Sequence, residues 1–218
     1  MAAKAEQLKR MEDCGLIAVV RAKSSEQLGE VVDAIKEGGV DVIEITMTTP
    51  NALKVIEDTA NRYGDEVLTG VGSVLDGETA RAAILAGAEY VVSPVLNRGV
   101  IEICKRYSKI AVPGAFTPTE IITAWAAGAD VVKVFPASVG GPAYFKAILA
   151  PLPQVKLSPT GGVDLATAGD FIKAGACVLG VGSALVEKKA LAERNFARLT
   201  ELAGKFREVV NAARAEMK

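Results

Sequence analysis

The 218-residue chain is predicted to fold as a single-domain α/β protein of the (β/α)8 TIM-barrel class, with an N-terminal helix and a long C-terminal helix. Three observations point there. Short apolar, β-rich runs alternate with longer amphipathic ones along the whole chain. Eight runs of strand character can be counted. The same helix-to-strand join, a glycine followed within three residues by a strand, recurs in "EGGVDVIEI", "LAGAEYVVSP", "AAGADVVKVF" and "KAGACVLGVG". Its glycines, Gly39, Gly87, Gly128 and Gly175, are 48, 41 and 47 residues apart, so every second βα unit looks alike. Eight strands, helical crossovers and this rhythm favour a closed barrel over an open doubly wound sheet.

The elements follow in order. Residues 1–15, "MAAKAEQLKRMEDCG", read as a short polar helix. The strands are "LIAVVR" (16–21), "VDVIEIT" (40–46), "VLTGVGSV" (67–74), "YVVSPV" (90–95), "KIAVPGAF" (109–116), "VVKVFP" (131–136), "VKLSPTGG" (155–162) and "CVLGVGSAL" (177–185). Helix-like segments such as "SEQLGEVVDAIKEG" and "DGETARAAILAG" lie between them. "TPTE" (117–120) is a capping box with Thr117 as cap, Pro118 in the first turn and Glu120 reaching back. The barrel spans 16–186, and 187–218 forms the C-terminal helix, one long helix from about Lys189. No linker or charge block divides the chain.

Composition narrows the class of function. Half the residues are apolar and the net charge is −1, which suits a soluble protein with a large core and gives no footing for nucleic acid or membrane partners. No apolar run approaches a membrane span and the N-terminus lacks the apolar core of a signal peptide, so a cytoplasmic location is expected. Cys14, Cys104 and Cys177 are odd in number and set in apolar or helical surroundings, as buried thiols in a reducing compartment would be. The chain has no histidine. That removes the commonest general base and the commonest zinc ligand together, and no metal or cofactor is expected.

One charge stands out. Lys133 in "VVKVFP" lies among valines, where an unpaired ammonium costs several kcal/mol or gives up its proton. Aligning the glycine joins puts Glu44, Val92, Lys133 and Gly180 at equivalent places. Alternation puts Glu44 with Thr46, and Lys133 with Phe135, on the inner face near the carboxyl ends of strands two and six, the end that carries active sites in this fold. Arg21, at the inward parity of strand one, is a nearby cation that would depress the lysine further. A structural ion pair between Glu44 and Lys133 is the bland alternative. In the last two strands, "SPTGGV" and "GVGSAL" each end with glycines and lead into a helix, a place where backbone N–H groups hold phosphate. Gly161, Gly162, Gly182 and Ser183 would form that cradle. An inward lysine, an inward glutamate and a phosphate cradle suggest carbonyl chemistry on a small phosphorylated compound.

With "EIT", "VKVFP", "PTGG" and "GVGSAL" in this order, and "SVLD", "VVSP", "VPGAFTPTE" and "GGPAYFKAI" around them, the chain resembles the KDPG and KHG aldolases from about Leu16 to Val186. The resemblance implies a class I aldolase, usually a homotrimer. It would cleave 2-keto-3-deoxy-6-phosphogluconate to pyruvate and glyceraldehyde 3-phosphate, or 4-hydroxy-2-oxoglutarate to pyruvate and glyoxylate. Lys133 matches the Schiff-base lysine and Glu44 the acid/base residue. Ser73 matches a hydroxyl at the pyruvate carboxylate, where the family generally has threonine, and Pro94 and Phe135 match the lining of the pyruvate half. Thr48 stands where some members carry an arginine, and Arg21 resembles the arginine that others carry at the end of strand one. Thr160 resembles the phosphogluconate-type enzymes rather than the phosphogalactonate type, although 2-dehydro-3-deoxy-6-phosphogalactonate stays open as a substrate. Two other readings remain: a non-covalent phosphate-binding isomerase or synthase, and a catalytically inert assembly subunit.

Overall fold

Each predicted strand forms, shortened to its apolar centre. The computed structural model describes residues 3–21 and 25–217, which leaves out the join after Arg21. The strands are β1 (Leu16–Val20), β2 (Val42–Thr46), β3 (Leu68–Gly72), β4 (Tyr90–Val92), β5 (Ile110–Val112), β6 (Gly114–Ala115), β7 (Val132–Val134), β8 (Leu157–Pro159) and β9 (Leu179–Val181). The fifth predicted strand is thus divided at Pro113, which has no N–H to give to a ladder. Pairing is parallel, in a curled six-stranded sheet of order β5-β4-β3-β2-β1-β9 and a three-stranded sheet of order β6-β7-β8. Single bridges, Leu157 to Ala176 and Thr160 to Gly180, join the smaller sheet to the region of β9.

The helices are α1 (Lys4–Cys14), α2 (Ser25–Glu37), α3 (Ala52–Tyr63), α4 (Gly77–Leu85), α5 (Arg98–Arg106), α6 (Pro118–Ala127), α7 (Gly141–Leu149), α8 (Ala168–Lys173), α9 (Lys188–Ala192) and α10 (Phe196–Ala215). They cover the outer faces of the strands, so β1, β2 and β3 are buried at every position, as expected of parallel strands covered on both faces. The recurrent join is realised as expected: Gly39, Gly87, Gly128 and Gly175 take φ of 87°, 108°, 101° and 98°, the left-handed turn that ends a helix. The capping box also forms, with Glu120 Oε2 accepting from the backbone N–H groups of Phe116 (2.9 Å) and Thr117 (2.8 Å).

Two expectations are corrected. The C-terminal helix is broken between α9 and α10, where Arg194 turns left-handed (φ 52°) and Asn195 caps α10 by accepting from the N–H of Arg198 at 3.2 Å. The glycine loops do not run straight into helices. After β8 a hydrogen-bonded turn, with Asp164 Oδ1 accepting from the N–H of Thr167 at 2.9 Å, precedes α8. After β9 the Gly182 carbonyl closes one turn by accepting from Leu185 (3.0 Å) and Val186 (2.9 Å), and α9 starts only at Lys188.

Helix α1 sets which end of the sheets is free. Its Lys4 pairs with Asp130 (2.8 Å), Gln7 donates to Glu89 (2.5 Å), Arg10 pairs with Asp41 (2.8 Å) and Glu12 pairs with Lys156 (2.5 Å). Those four partners each stand just before a strand, β7, β4, β2 and β8 respectively. The helix therefore covers the amino ends of the strands and leaves the carboxyl ends for a site.

Candidate active site

Glycines on the inner strand faces make room for the buried polar groups. Glu44 lies in register with Gly70 of β3, and its carboxyl arm crosses Gly72, where a Cβ would meet Oε1 at 1.8 Å. Lys133 pairs in register with Gly114 on one side and Ser158 on the other. Glu44 and Lys133 are 3% and 6% exposed, so the charge read as stranded in an apolar strand is indeed buried. The Lys133 Nζ lies 5.2 Å from the centre of the Phe135 ring, and that ring is partly open to solvent.

Electrostatics push the two groups toward neutrality. Burial drives the Lys133 ammonium below the usual lysine value, and the Arg21 guanidinium adds to this, while Glu44 opposes it. Burial raises the Glu44 carboxyl above the usual range, against the attraction of Lys133 and Arg21. Glu44 and Lys133 interact through charge alone, without a direct hydrogen bond. A neutral amine beside a carboxyl that can hold or release a proton is the pairing that imine chemistry needs.

Seven of the predicted residues meet around one cavity of about 340 Å³: Arg21, Phe135, Thr160, Gly161, Gly162, Gly182 and Ser183. That is within the range of small-molecule pockets, about 300–1,000 Å³. Arg21 lies just beyond β1 and is exposed, so it stands at the mouth rather than inside. Gly161 and Gly162 take φ of 86° and 79°. The Thr160 side chain rests on Gly180, where a Cβ would meet Oγ1 at 2.3 Å. Asp164 also lines the cavity, with its carboxyl held below the ordinary range by the hydroxyl and N–H of Thr167.

Lys133, Glu44, Ser73 and Pro94 do not line that cavity, and of the four Lys133 stands over the ring of a lining residue, Phe135. Ser73 follows Gly72 directly and takes φ 60°, uncommon outside glycine. The Pro94 backbone approaches Gly114, the register partner of Lys133, so closely that a Cβ there would meet its carbonyl oxygen at 2.5 Å. Thr48 bonds Thr46 through their hydroxyls at 2.8 Å. Sequence reasoning missed the space-making glycines, although Gly70 and Gly72 in "VLTGVGSV" stand two apart and so share a face. It also missed Tyr90, fully buried on the inner face, whose hydroxyl has no partner among the described residues. Such a group costs about 1–3 kcal/mol.

Comparison with known proteins settles the family. The family described as KDPG and KHG aldolase matches residues 8–202. The chain belongs to this family. It is thus an aldolase, a carbon-carbon lyase. Among members of the KDPG and KHG aldolase family, a 2-dehydro-3-deoxy-6-phosphogalactonate aldolase of Escherichia coli (strain K12) is 33% identical over 89% of this chain and 96% of its own. A 2-dehydro-3-deoxy-phosphogluconate aldolase of Treponema pallidum (strain Nichols) is 32% identical over 92% and 95%. The crystal structure of KDPG aldolase from Legionella pneumophila, with pyruvate captured at low pH as a covalent carbinolamine, matches with a TM-score of 0.85 and 28% identity. The match covers 91% of this chain and 96% of that one.

Proposed function

We propose that the chain is a class I aldolase that cleaves 2-keto-3-deoxy-6-phosphogluconate to pyruvate and glyceraldehyde 3-phosphate through an imine on Lys133. The observation that carries this is the buried, electrostatically coupled pair of Lys133 and Glu44 beside a glycine-lined cavity with Arg21 at its mouth. The amine attacks the C2 ketone, and loss of water leaves the iminium. Glu44 takes the proton of the C4 hydroxyl, directly or through water, as the C3–C4 bond breaks and its electrons pass to the iminium. Protonation of the enamine at C3 and hydrolysis then free pyruvate and the amine.

Arg21 and Ser73 would receive the carboxylate, with Pro94 and Phe135 lining the pyruvate half and Thr160 facing the substrate hydroxyls. Gly161, Gly162, Gly182 and Ser183 would hold the phosphate with backbone N–H groups. The fold that carries them is a closed (β/α)8 barrel, supported by the continuity of β5 and β6 across Pro113 and by the bridges next to β9. We further place the enzyme in the cytoplasm as a homotrimer, by likeness to the family.

Borohydride added with pyruvate should increase the mass of the protein at Lys133; active protein left unlabelled there overturns the proposal. The 33% identity to a phosphogalactonate aldolase favours the C4 epimer as a second reading. The ratio of kcat/KM for the two sugar acid phosphates decides between them. Size measurement in solution tests the trimer.

A further inference from the structure

One hydrogen-bonded row crosses the inner face of the larger sheet: Val19 faces Glu44, Glu44 faces Gly70, Gly70 faces Tyr90 and Tyr90 faces Ile110. Gly70 lacks a side chain, and the Tyr90 ring occupies the vacated space, where a Cβ would meet ring atoms at 2.2 to 2.4 Å. Glu44 does the same one step higher, over Gly72. The ring and the carboxyl arm thus cover neighbouring positions on one face of β3, Gly70 and Gly72. Phenylalanine would fill that space equally well, yet the chain carries a hydroxyl there that is fully buried and has no partner among the described residues.

The charged and titratable groups around this hydroxyl narrow its partner. Glu44 acts on it from β2, Cys14 from the end of α1 and Asp41 from the turn before β2; Lys133 of β7 and Arg21 beyond β1 act on Glu44 from the other side. Asp41 is already engaged by Arg10 at 2.8 Å, and the Cys14 thiol donates to the Leu16 carbonyl at 3.4 Å. Glu44 has no hydrogen bond of its own among the described residues. Burial drives the Tyr90 phenol well above its ordinary value, so it keeps its proton and stays a donor throughout the neutral range.

We propose that Tyr90 is a positioning residue for Glu44, its ring propping the carboxyl arm against Gly72 and its hydroxyl supplying a donor to the carboxylate when Glu44 is ionised. The inference rests on the aldolase function proposed above. Its field favours the charged carboxylate, so removing it disfavours that form and moves the proton-transfer limb of the pH profile upward.

The test compares wild type, Tyr90→Phe, Glu44→Gln and the double variant for melting temperature, borohydride trapping of pyruvate and the pH profile of kcat for cleavage. Tyr90→Phe should melt no lower than wild type and still trap pyruvate. Its acid limb should move up by roughly half a pH unit or more. In the Glu44→Gln background the same substitution should change kcat no further. Profiles that superimpose, or losses that multiply in the double variant, overturn the inference while leaving the aldolase reading intact. Wild-type protein that traps no pyruvate overturns both.

Discussion

The carboxyl arm of Glu44 rests on the α-carbon of Gly72, two residues along from its register partner Gly70. Any side chain at position 72 would take the space in which the carboxylate faces Lys133. Gly72→Ala should therefore reduce kcat by tenfold or more, because the flexible arm yields before the backbone does. The accompanying loss of stability should stay within the roughly 1–3 kcal/mol of a small overpacking. Steady-state kinetics and thermal melting check both, and a fully active Gly72→Ala would show that the arm has room elsewhere.

Lys133→Arg should abolish cleavage and borohydride labelling together. A guanidinium keeps the positive charge but cannot form an imine. Mass spectrometry of the trapped protein and a pyruvate-release assay read the two effects, and cleavage that survives the change would favour a non-covalent role for the lysine.

The pair should also leave a mark on stability. Glu44 is raised in the folded protein, so its contribution is full below the unfolded value of about 4.3 and falls as pH rises through the folded value. Lys133 is depressed, so the folded state gains as pH rises from the folded value toward the unfolded one, about 10.4. Glu44→Gln removes the first trend. Its melting temperature relative to wild type should rise between about pH 4 and 7 while turnover falls; a difference that moves the other way would contradict the raised carboxyl.

Gly162→Ala tests the phosphate cradle. The position is left-handed at φ 79°, and a Cβ would stand 2.5 Å from that of Ser138. The KM for the phosphorylated substrate should rise about tenfold, or 1.4 kcal/mol, while imine formation with pyruvate is unchanged. Equal loss in both assays would place the glycine in the pyruvate half instead.

Thr117→Ala removes the cap of α6, far in function from the pair. A loss of about 1 kcal/mol is expected, seen as a melting point lower by roughly 2–4 °C at this size, with kcat intact.

What could be seen in advance follows from what alternation and turns control. The glycine joins and the capping box could be located from sequence because each depends on residues close together in the chain. Glu44 and Lys133 could be paired because parity along a strand decides which face a side chain takes. Arg21 could be brought to the site by its parity on strand one, but its exposure could not be foreseen, since it lies past the last residue of β1. The turn after Gly182 and the break at Arg194 were missed because both depend on how the last elements pack. Tyr90 passed as one more apolar strand residue: its hydroxyl gains meaning only from Gly70 and Glu44 on neighbouring strands.

Burial raises the thiols of Cys14, Cys104 and Cys177, the last two to about 12, and the chain has no histidine. The side chains that ordinarily crowd a titration near neutral pH are thus missing or silent in this molecule. The displaced lysine and glutamate both shift toward that range, so with those side chains out of the way the wild-type protein is itself a suitable background in which to look for them.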